Sequence, residues 1–404
     1  MLWEVPWASA ECRPGVSAGS AGYALGEAVQ RQTGRKSKKT MRILVYGMSD
    51  GNMGGIETYL TQMNRFMRNG TIFDYVIEGT SCLYEKPIKE QGGRVYYITK
   101  KRVSVIKNLL DNRKLLKQLR REIAAVYFNL ITLSWIEPIR IALSYGYPVY
   151  VHSHISESAA KDAVHRAIYR INKARLSKMR VHRLTCSDKA KDFLFNSRDE
   201  VEMISNAVDL NRFRYREEYR NDVRRDLHIS QQTKVIGFVG RIDKQKNPLF
   251  VPELAKLMLS RVEDFKLLII GDGPLKDSLK ARISEYGLSD CCVLLGNQRD
   301  VYKYYSAMDV FLLPSFYEGL PIVLIEAQAN GLTCIVSETI SEQADITGKV
   351  SFVSLHDISS WADAIAEAAA KEDPDRSKWT ERLENTRFNI EKEAVRLEHV
   401  LTGC

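Results

Sequence analysis

VIGFVGRIDKQKNPLFVPELAKLMLSRVEDFKLLIIGDG, residues 235–273, contains two short apolar runs separated by one amphipathic stretch. VIGFVGR (235–241) and KLLIIGDG (266–273) are continuously apolar, and the spacing between them predicts a helix over 248–261. Strands that are apolar without alternation are covered on both faces, and two of them joined by a helix make a parallel pair. The pattern extends outward in both directions. Downstream, CVLLGN (292–297), VFLLPS (310–315) and TCIVS (333–337) read as strands, with helices predicted at 274–286, 299–308, 321–330 and 358–371. Upstream, RILVYGM (42–48), DYVIEG (74–79), RVYYIT (94–99), AAVYFNL (124–130) and PVYVHSH (148–154) are further strands. Helical patterns in TYLTQMNRFMRNG, YEKPIKEQG and IKNLLDNRKLLKQLRRE lie between them. A charged, apolar-poor stretch, YREEYRNDVRRDLHISQQ, separates the two series.

Two such series predict an α/β protein of two Rossmann-like domains facing across an interdomain cleft. The expected divisions are 41–215, 216–375, and a final helical run in 376–404 that returns to the first domain. A length of 404 residues fits two or three domains. With 27% charged residues and no apolar run near the ~18 residues of a membrane span, a polytopic membrane protein is excluded. The net charge of +9 suits nucleic acid, anionic lipid or phosphorylated small molecules without choosing among them. The seven cysteines, with no Cys-x-x-Cys, imply neither a metal site nor a disulfide framework, and a reducing compartment is the default. Residues 1–40 have no hydrophobic period and end in a basic run; they read as a disordered extension or an upstream start, or else as a basic arm touching lipid or RNA.

Several segments could carry chemistry. In GFVGRIDKQKNP (237–248), Gly240 and Arg241 sit at the carboxyl end of a strand, with Lys246 five residues beyond Arg241. Ligands of open α/β sheets bind there, and two cations would neutralise a diphosphate; a solvated basic loop is the plain alternative. EGLPIVLIEAQANG (318–331) follows a strand and enters a helix, with Glu318 and Glu326 eight residues apart. If that interval is mostly helical they lie roughly 12 Å apart, beyond a hydrolytic carboxylate pair, so they suit two ends of an elongated polyhydroxyl ligand. Capping and surface glutamates are the other reading. Gly319–Leu320–Pro321 would set backbone N–H groups at a helix N-terminus, with Pro321 in the first turn.

In GMSDGNMGGIETYL (47–60) the glycines do not follow G-x-G-x-x-G, so a dinucleotide fingerprint is absent, yet Gly54 and Gly55 allow an anion close to a helix start. A tight turn without ligand explains them equally. VHSHISES (151–158) puts His152 and His154 on the same side of a strand, for a hydroxyl or phosphate contact or for a structural role. The stretch 161–191 has ten Lys/Arg against two Asp, with Val164, Ile168, Ile171 and Leu176 at helical spacing. It reads as an amphipathic helix for an anionic membrane surface, or as a solvated face; nucleic acid is disfavoured because no binding signature accompanies it.

Taken together, the strand–Gly–Gly–Ile–Glu loop, SNAVDLNRF (205–213), GFVGRIDKQKNP, GDGPLKDSL and EGLPIVLIEA resemble the retaining glycosyltransferases of family 4, with the GT-B fold, over roughly 41–400. The HSH element is similar to members acting in capsule, exopolysaccharide or lipopolysaccharide assembly. The resemblance implies a metal-independent enzyme without cofactor, moving a sugar from a nucleoside diphosphate sugar to a saccharide or lipid-linked saccharide. It implies an acceptor-side domain at 41–215 and a donor-binding domain at 216–375. A cytoplasmic protein is expected, its seat on the inner face of the plasma membrane resting on the basic stretch 161–191. It implies that Arg241 and Lys246 hold the diphosphate, Glu326 the ribose and Glu318 the sugar. Gly54, Gly55, Gly240, Gly273, Asn297, Gly319, Leu320 and Pro321 would line the donor, and His154 (less so His152) would reach the sugar. Leu320–Pro321 departs from the aromatic–glycine pair of many members, which leaves sugar identity open. A nucleotide-sugar epimerase or a non-catalytic partner subunit would share this architecture, and a hydride-transfer dehydrogenase would require the missing fingerprint.

Overall fold

The computed structural model describes residues 40–51, 54–154, 163–371 and 373–403. The expected extension up to residue 39, the tip of the first glycine loop (52 and 53) and the 155–162 part of the HSH region lie outside them. The first half comprises β1 (Met41–Tyr46), α1 (Gly55–Phe66), β2 (Thr71–Glu78), α2 (Glu85–Glu90), β3 (Val95–Ile98), α3 (Val105–Gln118) and β4 (Ile123–Leu130). It continues with α4 (Glu137–Ser144), β5 (Val149–Ser153), α5 (Ala163–Ser177), β6 (His182–Thr185), α6 (Asp188–Leu194) and β7 (Glu202–Met203). After α7 (Leu210–Phe213) and α8 (Glu217–Asp226) come β8 (Lys234–Val239), α9 (Phe250–Met258), β9 (Phe265–Ile270), α10 (Lys276–Glu285) and β10 (Cys292–Gly296). Then follow α11 (Val301–Ala307), β11 (Val310–Leu313), α12 (Ile322–Ala329), β12 (Thr333–Ser337), β13 (Val350–Val353), α13 (Ile358–Ala370), α14 (Lys378–Glu384) and α15 (Ile390–Thr402).

The strands form two parallel sheets, ordered β3-β2-β1-β4-β5-β6-β7 and β10-β9-β8-β11-β12-β13. Each is doubly wound, as expected. Alternate residues serve opposite faces: Val235 and Val239 of β8 join one core with Phe311 and Leu313, while Ile236 and Phe238 join another with Val310 and Leu312. The first sheet behaves alike, with Leu44 and Tyr46 on one side and Ile43 and Val45 on the other. Strand order reverses between β1 and β4 and between β8 and β11, so each half has a crevice at the carboxyl ends of those strands.

Two expectations are corrected. The 161–191 stretch is not one helix: α5 stops at Ser177, and His182–Thr185 forms β6 between β5 and β7, followed by α6. Burial of Val181 and Leu184 draws those few residues into the sheet, a tertiary gain that so short a run does not advertise. The run at 376–402 is likewise broken, with Asn389 capping α15 through its side chain to the Glu391 N–H. Of its two parts, α14 packs on α12, where Thr380 Oγ1 donates to Ala329 O at 2.8 Å. The other part, α15, lies on α1 of the first half, with Ile390, Ala394, Leu397 and Leu401 among Tyr59, Leu60 and Met63. The chain's two crossings between halves run side by side: Val208 N–H donates to Phe388 O at 3.0 Å, and Ile390 N–H to Val208 O at 3.1 Å.

Candidate functional site

At the crevice of the second half, the loops after β8, β9 and β11 are laced together through their backbones. Gly240 N–H donates to Ile270 O and Ile242 N–H to Asp272 O, both at 3.0 Å; Leu275 N–H returns to Ile242 O at 3.0 Å. On the other side, Phe316 N–H donates to Gln245 O at 2.9 Å and the Gln245 amide to Tyr317 O at 3.0 Å. This lacing fixes where the charged side chains project.

Lys246 Nζ meets Glu318 Oε1 at 2.5 Å, the lysine side chain 16% exposed and the glutamate 8%. Such a shielded pair is stronger than a surface ion pair. The Lys246 stem lies over Gly240. Arg241 is different: its side chain is 47% exposed and its nearest anion is Asp243, at 3.5 Å. The crevice therefore has one shielded cation–carboxylate pair and one looser pair whose arginine is half exposed. Gly273 lies beside Ile242, with no room for a side chain, and Asn297 is exposed just after β10.

Gly319, Leu320 and Pro321 are buried in the lead into α12. Pro321 occupies the cap (φ −72°, ψ 113°) rather than the first turn, and its carbonyl accepts from Leu324 N–H at 3.1 Å. The interval from Glu318 to Glu326 is thus half loop, which removes the premise of the helical separation. Leu320 O accepts from Asn206 Nδ2 at 2.8 Å, tying this loop to the segment that joins the halves.

Glu326, in the second turn of α12, is buried and accepts from Tyr305 Oη at 2.7 Å. Burial pushes its carboxyl up to about 7, while the Tyr305 hydroxyl, Arg212 and Lys246 pull it back down. Its ordinary value is 4.5, so between there and about 7 the folded protein holds the proton and the unfolded chain does not. Stability in this window falls as pH rises, by up to about 3 kcal/mol. Urea unfolding between about pH 5 and 8 is expected to show that loss, Glu326→Gln to flatten it, and Tyr305→Phe to extend it upward. An unchanged profile in Glu326→Gln would assign the loss elsewhere.

In the first half, the amino end of α1 and the carboxyl ends of β4 and β5 lie at that half's own crevice, where its strand order reverses. Gly54 caps α1 where a side chain would strike Glu57 Oε2, 2.5 Å away, whereas space beside Gly55 is open. His154 follows β5, half-buried, with Nε2 at 2.8 Å from Asn129 Oδ1 and its ring 4.8 Å from that of Tyr59. Burial holds it down at about 3, so it is neutral and exchanges hydrogen bonds rather than charge. His152 is fully buried, with Nδ1 at 2.5 Å from Tyr127 Oη and Nε2 at 3.1 Å from Ile204 O. Both its ring nitrogens are committed inside the protein, so the pair separates into one interior histidine and one at the crevice.

Asn129, Asn206, Tyr305 and Gly271 are not among the residues that the sequence picks out individually. Asn129 ends a predicted strand, where the carboxyl-end rule points; the other three become significant only through neighbours distant in sequence.

Comparison with known proteins agrees with this arrangement. Residues 220–386 match the family model described as glycosyl transferases group 1. EpsF of Bacillus subtilis (strain 168), described as a glycosyltransferase, is 30% identical over 372 residues, covering 88% of this chain and 95% of that protein. The UDP-Gal:alpha-D-GlcNAc-diphosphoundecaprenol alpha-1,3-galactosyltransferase of Escherichia coli is 28% identical over 272 residues, 64% of this chain and 69% of that one. The crystal structure of Anabaena HepE with UDP-glucose superposes with a TM-score of 0.71 at 14% identity, over 90% of this chain and 100% of that one, and so shares the fold. Homology along nearly the whole of EpsF, joined to two doubly wound halves, shows that the chain belongs to the glycosyl transferases group 1 family.

Proposed function

We propose that this glycosyltransferase moves a sugar from a nucleoside diphosphate sugar to a lipid-linked saccharide, with retention and without a divalent metal, as a family 4 enzyme of surface polysaccharide synthesis. The observation that carries this reading is the pair of cations at the carboxyl end of β8, Arg241 exposed and Lys246 set against Glu318. The E. coli relative's name specifies a UDP-sugar donor and a diphosphoundecaprenol-linked acceptor, and HepE was crystallised with UDP-glucose. UDP is therefore the first nucleotide to test.

Departure of a nucleoside diphosphate leaves an oxocarbenium-like centre, so the protein's main task is to stabilise charge growing on the diphosphate. Arg241 and Lys246 supply positive charge there, and the amino end of α12 adds its dipole. Glu326, oriented by Tyr305, accepts from the ribose hydroxyls. Glu318 accepts from the sugar, and neutral His154 meets it from the other half. Approach of the halves would exclude water that otherwise hydrolyses the donor. No helix among the described residues is long and apolar enough to cross a membrane. The reading sets the basic stretch 161–191, with ten Lys/Arg against two Asp, against an anionic bilayer surface.

Isothermal titration with UDP, GDP and ADP, in EDTA and in magnesium, tests the donor site. We expect one nucleotide to bind equally in both buffers, with Arg241→Ala and Glu326→Ala weakening it roughly 10- to 100-fold. Absence of binding by all three would overturn the donor assignment, and binding only in magnesium would overturn metal independence.

A further inference from the structure

The second sheet has a cavity of about 240 Å³ at the end away from the crevice. Lys234 opens β8 there, Thr333 opens β12, and Asp309 and Lys349 stand just before β11 and β13. The link from α13 to α14 forms another wall with Lys371, Asp373 and Arg376, and Arg220 of α8 a third. The crevice lies at the opposite ends of these strands, a rise of roughly 17 Å along β8.

Five cations and two acids line the cavity, and both acids are already shared. Asp309 meets Arg220 at 2.9 Å and Arg224 at 2.8 Å; Asp373 meets Lys349 at 2.9 Å and Lys378 at 3.5 Å. Part of the positive charge is structural. Arg224, fully buried, donates to Ala307 O, Ser230 O and Thr233 O, and Arg220 donates to Ala307 O at 3.2 Å, so the two close the end of α11. The remainder has no such use. Lys371 pairs with Glu367 at 2.7 Å on the outer surface. Arg376 donates to neutral oxygens: Met308 O, Tyr305 O, and both Asn330 O and Oδ1. Among the described residues, neither Arg376 nor Lys234 has an acid at ion-pair distance. Burial pushes the Arg376 guanidinium down to about 10, against the pull of Asp309 and with the help of Arg220. A desolvated cation without a counter-charge is unfavourable, and a bound anion would supply what is missing.

We infer that this cavity is a binding site for a phosphoryl group, separate from the donor crevice. At neutral pH a phosphoryl group carries up to about two negative charges, matching the two unpaired cations, whereas a carboxylate would cancel only one. Lysine ammonium and arginine guanidinium are both ordinary partners of phosphate oxygens. The volume falls below the ~300–1,000 Å³ of pockets for drug-sized ligands, so the occupant is inorganic phosphate or a small sugar phosphate rather than a nucleotide sugar. The inference stands apart from the donor reading, since no residue of the crevice lines the cavity.

Isothermal titration of the full chain with inorganic phosphate and with glucose 1-phosphate, chloride holding ionic strength constant, tests it. We expect wild type to bind at least one of them. Lys234→Gln/Lys371→Gln should weaken that binding at least ~10-fold, with the UDP titration and the urea midpoint unchanged. Arg241→Ala should bind the phosphate compound like wild type. Tighter glucose 1-phosphate would identify a sugar phosphate as the occupant and tighter inorganic phosphate the free ion; either upholds the site. Failure of wild type to bind both, or binding by the double variant equal to wild type, would overturn the inference. So would loss of binding in Arg241→Ala, which would put the anion in the crevice. Failure of wild type to bind UDP would instead strike at the donor reading alone.

Discussion

Lys246→Ala is expected to lower kcat by about 10²–10³-fold, because on the proposed function it removes one of two cations that stabilise the departing diphosphate. It also removes from Glu318 a counter-charge at 2.5 Å in a shielded setting, which costs the fold about 2 kcal/mol. These effects are separable. Adding Glu318→Gln relieves the carboxylate and should restore most of the urea midpoint, while turnover stays low because the diphosphate still lacks its cation. Single-turnover rates and urea titrations of the two variants and wild type measure both. Turnover within about threefold of wild type in Lys246→Ala would remove this side chain from leaving-group stabilisation.

Gly271→Ala is expected to cost at least about 3 kcal/mol and to abolish nucleotide binding in the molecules that remain folded. Gly271 has φ +140°, and an added Cβ would sit 1.9 Å from Gly240 O, a backbone atom that cannot rotate away. Relief requires the carboxyl ends of β8 and β9 to separate, which displaces the loop carrying Arg241 and Lys246. Gly287→Ala is the control: it shares positive φ, +67°, but nothing lies within 4 Å, so about 1 kcal/mol with unchanged binding is expected. Equal losses in the two variants would mean that the close approach at Gly271 does not matter.

The two substitutions differ in how visible they are from the chain alone. Lys246 follows a strand at a telling distance from Arg241, so its chemistry is legible locally. Gly271 lies in a predicted strand end, GDG, but its demand for a missing side chain comes from Gly240, thirty-one residues earlier. Tyr305 is equally silent, since nothing in VYKYYSAMD says that one tyrosine of three turns toward Glu326. The paired histidines could not be told apart by period, because alternate residues of a strand share a face whatever covers it. Tyr127 and the Ile204 carbonyl engage His152, whereas His154 stands one pleat further on, at the crevice. The basic stretch at 161–191 misled because charge and helical spacing are local properties, while the pairing of His182–Thr185 with β5 is not.

The sequence by itself determined the two doubly wound halves, since unbroken apolar strands alternating with amphipathic helices have few other ways to bury both faces of a sheet. It also determined the charges that the proposed function assigns to a ligand: Arg241, Lys246 and Glu318 lie in loops after strands, and Glu326 in the helix that follows one of those loops. Tertiary structure alone decided which of these are paired, which histidine reaches the crevice, and that α3 and α5 bury asparagine while exposing valine and isoleucine. Those outcomes depend on which elements become neighbours after the crossovers, and a residue's environment is a property of that neighbourhood rather than of its place in the chain.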